Sequence, residues 1–260
     1  TVVPSFYVPI VRRLMEKNQF IFAYPEKSII RKALADVDLV HIQLPFFLGC
    51  SSIKIARELG KPVVTAFHVQ PENITYNIGI PSSFLIEKCY RLFVNKIYNR
   101  SDAVICPSKF AESELKRYGL TVPSYVISNG LLPQFRPIKA LRDKEFKDKF
   151  IILTVGRIAK DKRHDVLIDA VALSKYEKSI QLIITGKGPL KEKIEKYSEK
   201  LTNKPPFKFV TEDELIRLYN TSDIYIHPSE VELESMSVLE AIGCGLPALI
   251  SDSRTSAAKQ

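Results

Sequence analysis

The amino-acid sequence predicts an α/β protein made of two doubly wound, Rossmann-like domains with a cleft between them. With 260 residues, the chain is long for one average domain and sufficient for two. Short apolar runs alternate with longer amphipathic segments, a pattern typical of parallel sheets flanked by helices. The alternation stops at a charged stretch with two prolines, residues 133–149, and then restarts. These observations predict domains at 1–134 and 149–260, joined by a linker at 135–148.

Each half of the chain supplies its own set of strands and helices. In the first half, apolar runs predict strands at 19–23, 39–44, 62–68, 103–108 and 124–128. Helices are predicted between them at 27–37, 52–60, 83–99 and 109–119. Gly60 and Gly119 stand where C-terminal helix caps belong. The run 67–77, after the third strand, is predicted to be a loop that contacts an acceptor.

The second half repeats the pattern. Strands are predicted at 150–156, 180–186, 207–210, 224–229 and 247–251, and helices at 165–175, 190–201, 212–222 and 237–243. Ligands of such sheets bind at the carboxyl ends of the strands. Those ends carry the unusual residues of this chain, which are His68 and the segments 154–158, 185–189 and 227–234.

Composition narrows the class of protein. The formal net charge is +9, from 38 Lys and Arg against 29 Asp and Glu, which favours an anionic partner. No zinc-finger, RNP or helix-turn-helix pattern is present, so we do not predict a nucleic-acid partner. No apolar run approaches the roughly 18–20 residues that span a bilayer, and the first residues show no secretory signal. The four cysteines lack CxxC spacing and are expected to be free thiols in the cytoplasm.

A basic turn follows the first strand of the second half, in "GRIAKDKR" (156–163). Gly156 lets the chain turn close to a ligand, and Arg157 and Lys162 place two cations nearby. A guanidinium fork and an ammonium group suit a diphosphate. A solvated basic loop before a helix explains the fragment equally well.

A glycine-rich turn follows the next strand, in "TGKGP" (185–189). Gly186 and Gly188 on either side of Lys187 would allow the backbone to approach a ligand closely. An ordinary turn is the better interpretation of the fragment alone, because two glycines do not make a dinucleotide-binding fingerprint.

Two glutamates are spaced eight residues apart in "SEVELESMSVLEAIGCGL" (229–246). A helix that begins near Met236 would direct free backbone N–H groups at the preceding loop, where a phosphate could bind. Glu240, one turn into that helix, could accept hydrogen bonds from a ribose, and Glu232 in the loop could face sugar hydroxyls. Taken singly, Glu240 is also a favourable acidic residue near a helix N-terminus, and Glu232 a solvated loop residue.

Together these segments resemble the retaining glycosyltransferases of family 4, which have the GT-B fold and use a nucleotide-sugar donor. The resemblance rests on "GRIAKDK", "TGKGPL", "VICPSKF", "VISNGLLPQFRP" and the long segment from "DELIRLYN" to "GLPALIS". It implies that Arg157 and Lys162 hold the donor diphosphate, that Glu240 binds the ribose and Glu232 the transferred sugar, and that His68 lies near the reaction centre. His68 and Glu232 are then the candidate catalytic residues. The candidate donor-binding residues are Gly156, Arg157, Lys162, Gly186, Val210, Ser235, Met236, Ser237 and Glu240.

The resemblance also sets expectations about cofactors and mechanism. Arg157, Lys162 and a helix N-terminus could stabilise a departing nucleoside diphosphate without a metal, so we expect neither metal nor cofactor. Asp36 and Asp38 form a DxD triplet, but the triplet precedes a predicted strand and is interpreted as structural. Retention of anomeric configuration is implied by the family alone.

The chain also departs from the family pattern. It starts after the family's first strand and Gly-rich loop and ends before its last helix, so both terminal elements are expected to be missing. Ser235 stands where the family often has Gly. A truncated, non-catalytic module that binds a nucleotide sugar or a partner therefore remains an alternative. An epimerase or phosphorylase of the same fold fits the motifs less well.

The segment 82–100 bears on the acceptor and on location. It carries Lys88, Arg91, Lys96 and Arg100 among apolar residues, as helices on anionic membranes do. Taken by itself, the segment is better interpreted as a domain helix with an apolar inner face and solvated charges, and the net charge and the resemblance are what favour a membrane. We expect a lipid-linked or saccharide acceptor, a UDP-sugar donor, and a cytoplasmic protein that binds peripherally to the cytoplasmic face of a membrane.

Overall fold

A computed structural model describes residues 2–7, 12, 16, 21–80 and 82–260 of the chain. The chain divides into two compact units. The first unit spans residues 1–128 together with Gln260, and the second spans residues 129–259. Each unit has a parallel sheet of its own.

The first unit is built on a four-stranded parallel sheet. Its strands β3 (Val40–Ile42), β4 (Val63–Ala66), β5 (Ala103–Cys106) and β6 (Ser124–Val126) lie side by side in chain order. A separate antiparallel pair joins β1 (Ser5–Phe6) to β2 (Phe22–Ala23). The helices described here are α1 (Lys27–Leu34), α2 (Phe47–Glu58), α3 (Pro71–Ile78), α4 (Ser83–Lys96) and α5 (Lys109–Arg117).

The second unit is a doubly wound sheet of five parallel strands. They are β7 (Phe150–Val155), β8 (Ile180–Thr185), β9 (Phe207–Lys208), β10 (Ile224–His227) and β12 (Ala248–Ile250). Their order is β12-β10-β7-β8-β9, so the chain runs outward from β7 on one side and then returns to its other side. In such sheets, the crevice at the point of reversal is where ligands bind. Here that point lies between the carboxyl ends of β7 and β10.

Helices cover both faces of the second sheet. Strand β11 (Val231–Glu232) pairs with β13 (Thr255–Ser256), and the helices are α6 (His164–Ala172), α7 (Lys191–Tyr197), α8 (Glu212–Thr221) and α9 (Met236–Gly243). One apolar cluster packs Ile151 and Leu153 of β7 with α8 and α9. The other packs Ile152 with α6 and α7. This alternation along β7 is the period of two that a strand covered on both faces produces.

The predicted elements agree with this architecture in most places. Every predicted strand and helix that falls on described residues is confirmed in position, with ends shifted by a few residues; residues 19–20 of the first predicted strand lie outside the described residues. Gly60 and Gly119 each follow a helix with positive φ (66° and 96°), as caps do. The four cysteines are free. Within the described part of the chain, each helix is too short or too polar to cross a bilayer.

The loop predicted over 67–77 is wrong, because much of it is helix α3. Pro71 occupies the first turn, where its missing N–H is harmless, and Glu72 adds an acidic group there. Gly79 ends the helix in the left-handed conformation, with φ of 78°.

The segment interpreted as a linker, 135–148, packs on the second unit. Phe135 and Phe146 are buried in the cluster that α8 and α9 also line. The Arg142 guanidinium pairs with Asp223 at 2.8 Å, and the Ile138 amide donates to the Asn220 side chain at 2.7 Å. The aromatic residues of this charged segment therefore anchor it to the sheet.

Candidate functional site

The turns that follow β7 and β8 pack closely against each other. The Gly156 amide donates to the Thr185 carbonyl at 3.0 Å. A Cβ atom at Gly186 would lie 1.9 Å from the Gly156 carbonyl oxygen, and one at Gly188 would lie 2.2 Å from that of Ile158. The glycines of "TGKGP" are thus required by the packing of one turn against the other. Lys187, between them, places its ammonium 3.8 Å from the centre of the Phe209 ring.

The basic turn after β7 extends towards the loop that follows β10. Arg157 stands exposed at its start, and a short 3₁₀ turn brings Lys162 inward. The Lys162 ammonium pairs with the Glu232 carboxylate, and its nitrogen lies 3.4 Å from the Ser229 hydroxyl. The backbone joins the same two loops, since the Glu230 amide donates to the Asp161 carbonyl at 2.8 Å. Arg163, whose backbone is left-handed (φ 47°), adds an ion pair to Glu230.

Glu232 is a mostly buried carboxylate held by two cationic or polar donors. Besides Lys162, the Nε2 atom of His227 lies 2.8 Å from Glu232 Oε1. Burial by itself raises the pKa of Glu232, but the hydrogen bond from His227 and the charge of Lys162 outweigh it, so its pKa is lowered. Among the residues that the structure describes, both hydrogen bonds to this carboxylate end on Oε1. Oε2 therefore keeps its capacity to accept a hydrogen bond from a ligand hydroxyl.

Hydroxyl groups lie close to both ring nitrogens of His227. The Ser235 hydroxyl lies 3.2 Å from His227 Nε2 and 3.3 Å from the Ser237 hydroxyl. The Tyr225 hydroxyl lies 2.8 Å from Ser237 Oγ and 3.1 Å from His227 Nδ1. Tyr225, His227 and Ser235 are all buried. The cluster is thus an internal polar network in which Ser237 is only partly buried.

Helix α9 starts at this network. Ser235 is its N-cap residue, but the Ser235 side chain bonds His227 and makes no capping bond to the helix. The amides of the first turn of a helix have no intrahelical partner, and they attract anions together with the helix dipole. Met236 and Ser237 contribute the first amides of α9. The start of α9 is therefore suited to an anionic group such as a phosphate.

Glu240 lies one turn into α9 and is half-buried. The Tyr219 hydroxyl donates to Glu240 Oε2 at 2.9 Å. Burial raises the pKa of Glu240, and the Tyr219 hydrogen bond only partly opposes it. Its second oxygen carries no bond to any described side chain, so Glu240 could accept a hydrogen bond from a ligand hydroxyl.

The structure joins some of the predicted residues and separates others. Contacts link Lys162, Glu232, Ser235 and Ser237 in one cluster. Val210 packs partly buried against the core under α8 and α9. His68 belongs to the first unit, where it lies exposed beyond the end of β4. Which of these residues touch a ligand stays a prediction.

Sequence reasoning assigned no role to His227, Tyr225 or Tyr219. A signal for the first two was available, because "IYIH" places Tyr225 and His227 on one face of a strand whose other face is apolar. Polar rings on a buried face of a sheet need hydrogen-bond partners there.

Asp36 and Asp38 lie exposed ahead of β3. Within the described ranges, no three His, Cys, Asp or Glu side chains are grouped as metal ligands would be.

Comparison with solved structures identifies the fold. The chain superposes on Anabaena HepE, solved in complex with UDP and glucose, with a TM-score of 0.71 at 16% identity. The match covers 87% of this chain and 62% of HepE. At this identity the likeness concerns the fold alone, which is that of the GT-B glycosyltransferases.

Sequence comparison finds curated relatives that are considerably longer than this chain. An alpha-monoglucosyldiacylglycerol synthase of Streptococcus pneumoniae is 28% identical over an alignment of 227 residues that covers 82% of this chain and 51% of that protein. A GDP-mannose-dependent alpha-mannosyltransferase of Mycolicibacterium smegmatis is 26% identical over an alignment of 228 residues that covers 84% of this chain and 56% of that protein. The chain thus spans about half the length of these curated relatives.

Two family models account for nearly the whole chain. The model described as Glycosyltransferase Family 4 matches residues 2–135, and the model described as Glycosyl transferases group 1 matches residues 138–259. The first of these alone covers just over half of the 260 residues. The chain therefore belongs to glycosyltransferase family 4.

Proposed function

We propose that this protein transfers a hexose from a nucleotide sugar, most favourably a UDP-sugar, to a hydroxyl group of a lipid-linked or saccharide acceptor. The observation that carries the proposal is the cluster of Lys162, Glu232 and His227 beside the start of α9. It lies at the point where the parallel sheet reverses its order, which is where such sheets bind ligands. A cation, an ionised carboxylate and a helix N-terminus are the groups that a sugar diphosphate requires.

The donor diphosphate would be held by positive charge from three sources. Arg157 and Lys162 supply side-chain cations, and the amides of Met236 and Ser237 supply the helix N-terminus. When the bond between sugar and phosphate breaks, negative charge grows on the diphosphate. Fixed donors aimed at that charge stabilise the transition state more than the ground state. We propose that this suffices without a metal or other cofactor.

The two glutamates would hold the sugar groups of the donor. The lowered pKa of Glu232 keeps its carboxylate ionised near neutral pH, and its Oε2 would accept a hydrogen bond from a hydroxyl of the hexose. Glu240 would accept hydrogen bonds from the ribose. The turns at Gly156 and Gly186 and the segment ending at Val210 would border the nucleoside, and the Ser235 backbone would border the phosphate. This division of labour gives Glu232 a role in positioning the reacting sugar.

The finer features of the reaction follow from the family and from the relatives. Retention of anomeric configuration and the part of His68 in the reaction are proposed on the family resemblance. One relative is an alpha-monoglucosyldiacylglycerol synthase, which supports a lipid acceptor, and HepE was solved with UDP, which supports a UDP-sugar.

A peripheral position on the cytoplasmic face of a membrane is part of the proposal. Helix α4 exposes Phe84 (65%) and Leu92 (53%) beside basic residues. The Lys88 ammonium lies 4.5 Å from the centre of the Phe84 ring. Apolar and cationic groups exposed together favour an anionic lipid surface.

Calorimetry with UDP, GDP and ADP and their glucose or mannose conjugates tests the donor. We expect UDP and UDP-glucose to bind, and Arg157→Ala to weaken both by about 10-fold through loss of a charge-assisted hydrogen bond. Lys160→Ala removes an exposed cation from the same turn and serves as the matched control, with unchanged affinity. If the Arg157 and Lys160 variants bind alike, the donor site is assigned wrongly. Binding without sugar transfer in a product assay would favour the alternative of a nucleotide-sugar-binding module.

A further inference from the structure

His227 is a buried histidine at the end of β10, with 3% of its surface exposed. Both of its ring nitrogens face polar partners. Nε2 lies 2.8 Å from Glu232 Oε1 and 3.2 Å from Ser235 Oγ, and Nδ1 lies 3.1 Å from the Tyr225 hydroxyl. The ring also stacks on that of Tyr225, with 22° between the planes. These contacts, at both ring nitrogens and on the ring face, hold the imidazole in one orientation.

The partners of His227 determine which nitrogen carries the proton. An ionised carboxylate can only accept a hydrogen bond, so Nε2 must donate to Glu232. In the neutral ring Nδ1 then accepts from the Tyr225 hydroxyl, and the Ser237 hydroxyl can donate to Tyr225 in turn. In the charged ring Nδ1 donates to Tyr225, whose own proton can go to Ser237 or to the Val155 carbonyl at 3.2 Å. In both states the Nε2–H group donates a hydrogen bond to Glu232.

The Glu232 carboxylate is held at one oxygen by groups from two different elements. Lys162 reaches Oε1 from the loop after β7, and His227 reaches it from β10. The Glu232 backbone is fixed as well, because its carbonyl accepts from the Ala257 amide at 2.8 Å beyond β13. A carboxylate bonded at Oε1 from two directions has little freedom to rotate. Its Oε2 then points in a defined direction.

We infer that His227 is a positioning residue for the donor sugar: its Nε2–H group and Lys162 hold Glu232 Oε1 so that Oε2 is presented to a sugar hydroxyl. The inference rests on the proposed function in taking the ligand of Glu232 to be the hexose of a nucleotide sugar. The Ser235 hydroxyl, at 3.2 Å from Nε2, can share the same proton only as a second and longer acceptor, so Glu232 at 2.8 Å is the principal partner. His227 itself acts through Glu232 and does not touch the donor.

Two substitutions separate positioning from a purely structural role. In His227→Gln the side-chain nitrogen can reach the place of Nε2, so the donor to Glu232 is kept. In His227→Asn the nitrogen reaches only the place of Nδ1, so that donor is lost while a polar side chain remains. We expect His227→Asn to weaken UDP-glucose binding by about 10-fold and to leave the affinity for UDP unchanged. His227→Gln should restore UDP-glucose binding to nearly that of the unaltered chain.

The comparison of UDP with UDP-glucose makes the test specific. A structural defect would weaken UDP and UDP-glucose together and would move the melting temperature of both variants, which overturns the inference. Equal UDP-glucose affinity in the Asn and Gln variants overturns it as well, because the Nε2 donor would then be irrelevant.

Nuclear magnetic resonance of histidine labelled with ¹⁵N gives a readout that needs no ligand. We expect the His227 ring to be protonated at Nε2, with a ring proton protected from exchange and a resonance that shifts in Glu232→Gln. A neutral ring protonated only at Nδ1, or a resonance unmoved by Glu232→Gln, would refute the His227–Glu232 link. If the unaltered chain bound neither UDP nor UDP-glucose, the proposed donor would fail. The ring resonance would still decide whether His227 holds Glu232.

Discussion

Two buried glutamates, one in each unit, have pKa values shifted in opposite directions. Glu72 lies in the first turn of α3, just beyond β4, with 5% of its surface exposed. Burial raises its pKa, and the hydrogen bond from the Tyr90 hydroxyl at 3.0 Å does not compensate. Glu232 is comparably buried, but His227 and Lys162 lower its pKa. Neighbouring charges, more than burial itself, decide which carboxylate stays ionised.

The difference separates a structural carboxyl group from one prepared for a ligand. Glu72 connects α3 to α4 through Tyr90, whose ring stacks on Tyr118 at 4.2 Å. Its surroundings supply no cation in contact among the residues that the structure describes. Glu232 has a cation, a histidine and a free oxygen. Strongly perturbed carboxylates occur both in functional sites and in structural networks, and the partners tell the two apart.

The largest expected effect comes from removing Glu232. Glu232→Ala removes the nearer carboxylate from the largely buried Lys162 ammonium, which keeps only Asp161 Oδ2 at 3.7 Å. Loss of one member of a buried pair costs about 3 kcal/mol. We expect the free energy of unfolding of the second unit to fall by about this amount. Urea denaturation followed by hydrogen exchange of second-unit peptides measures it, because the two units need not unfold together.

The control for this variant is an ion pair of the first unit. Glu58 pairs with Arg31, and both side chains are about half-exposed (42% and 51%). Glu58→Ala should reduce stability by less than about 1 kcal/mol, as surface pairs do. Equal losses in the two variants would mean that the Glu232 pair is no more buried in solution than the surface pair.

The sequence was sufficient to predict most of the fold. Alternation of apolar and amphipathic segments is a local pattern, so it identified β7, β8 and β10 and their helices directly. Helix α3 was missed because "PENITYN" is polar, although Pro71 followed by Glu72 is a helix-start pattern. The packing of 135–148 was missed for another reason. Whether Phe135 and Phe146 are buried depends on residues distant in the chain.

The charged residues of the candidate site could be predicted from the sequence, but the residues that hold them in place could not. Arg157, Lys162, Glu232 and Glu240 were identified from spacing and resemblance. His227 was counted only among unusual residues at strand ends, because its bond to Glu232 depends on how the loop 228–235 folds back over β10. Such a contact has no signature in residue spacing. The sequence therefore predicts which groups a ligand could meet better than it predicts what holds them.

A pair of isosteric substitutions tests the opposite pKa shifts directly. A raised pKa in the folded state means that Glu72 contributes stability at low pH that is lost as the pH rises through its folded pKa. A lowered pKa means that Glu232 contributes stability above the ordinary glutamate pKa that is lost as the pH falls through its folded pKa. In a buffer of about pH 7, above the ordinary glutamate pKa, Glu72→Gln should therefore stabilise the first unit. Glu232→Gln should destabilise the second by about 1–2 kcal/mol.

The pH dependence of each variant provides the check. Repeating the denaturation at about pH 4, near the ordinary glutamate pKa, should shrink the Glu72 difference, because the raised pKa of Glu72 lets its folded carboxyl group take up a proton there. The Glu232 difference should shrink only at lower pH, as the pH falls towards the lowered folded pKa of Glu232. Destabilisation of the first unit by Glu72→Gln at pH 7 would show that Glu72 is ionised and favourably paired, and the contrast between the two glutamates would be lost.

The smallest effect is expected from two tyrosines that donate to glutamates. Tyr90→Phe removes the hydroxyl that donates to buried Glu72 and should reduce the free energy of unfolding of the first unit by about 1 kcal/mol. Tyr219→Phe removes the hydroxyl that donates to Glu240 at 2.9 Å. Because Glu240 is half-buried and water can replace the donor, this variant should lose less stability than Tyr90→Phe.

If Glu240 binds the ribose, Tyr219→Phe should weaken UDP binding by about 2–3-fold, since the carboxylate would lose the bond that orients it. Tyr90→Phe should leave UDP binding unchanged. A Tyr219 variant that binds UDP normally but melts earlier would make Glu240, like Glu72, a structural tether, and Glu232 would then be the one glutamate of this comparison that faces the donor.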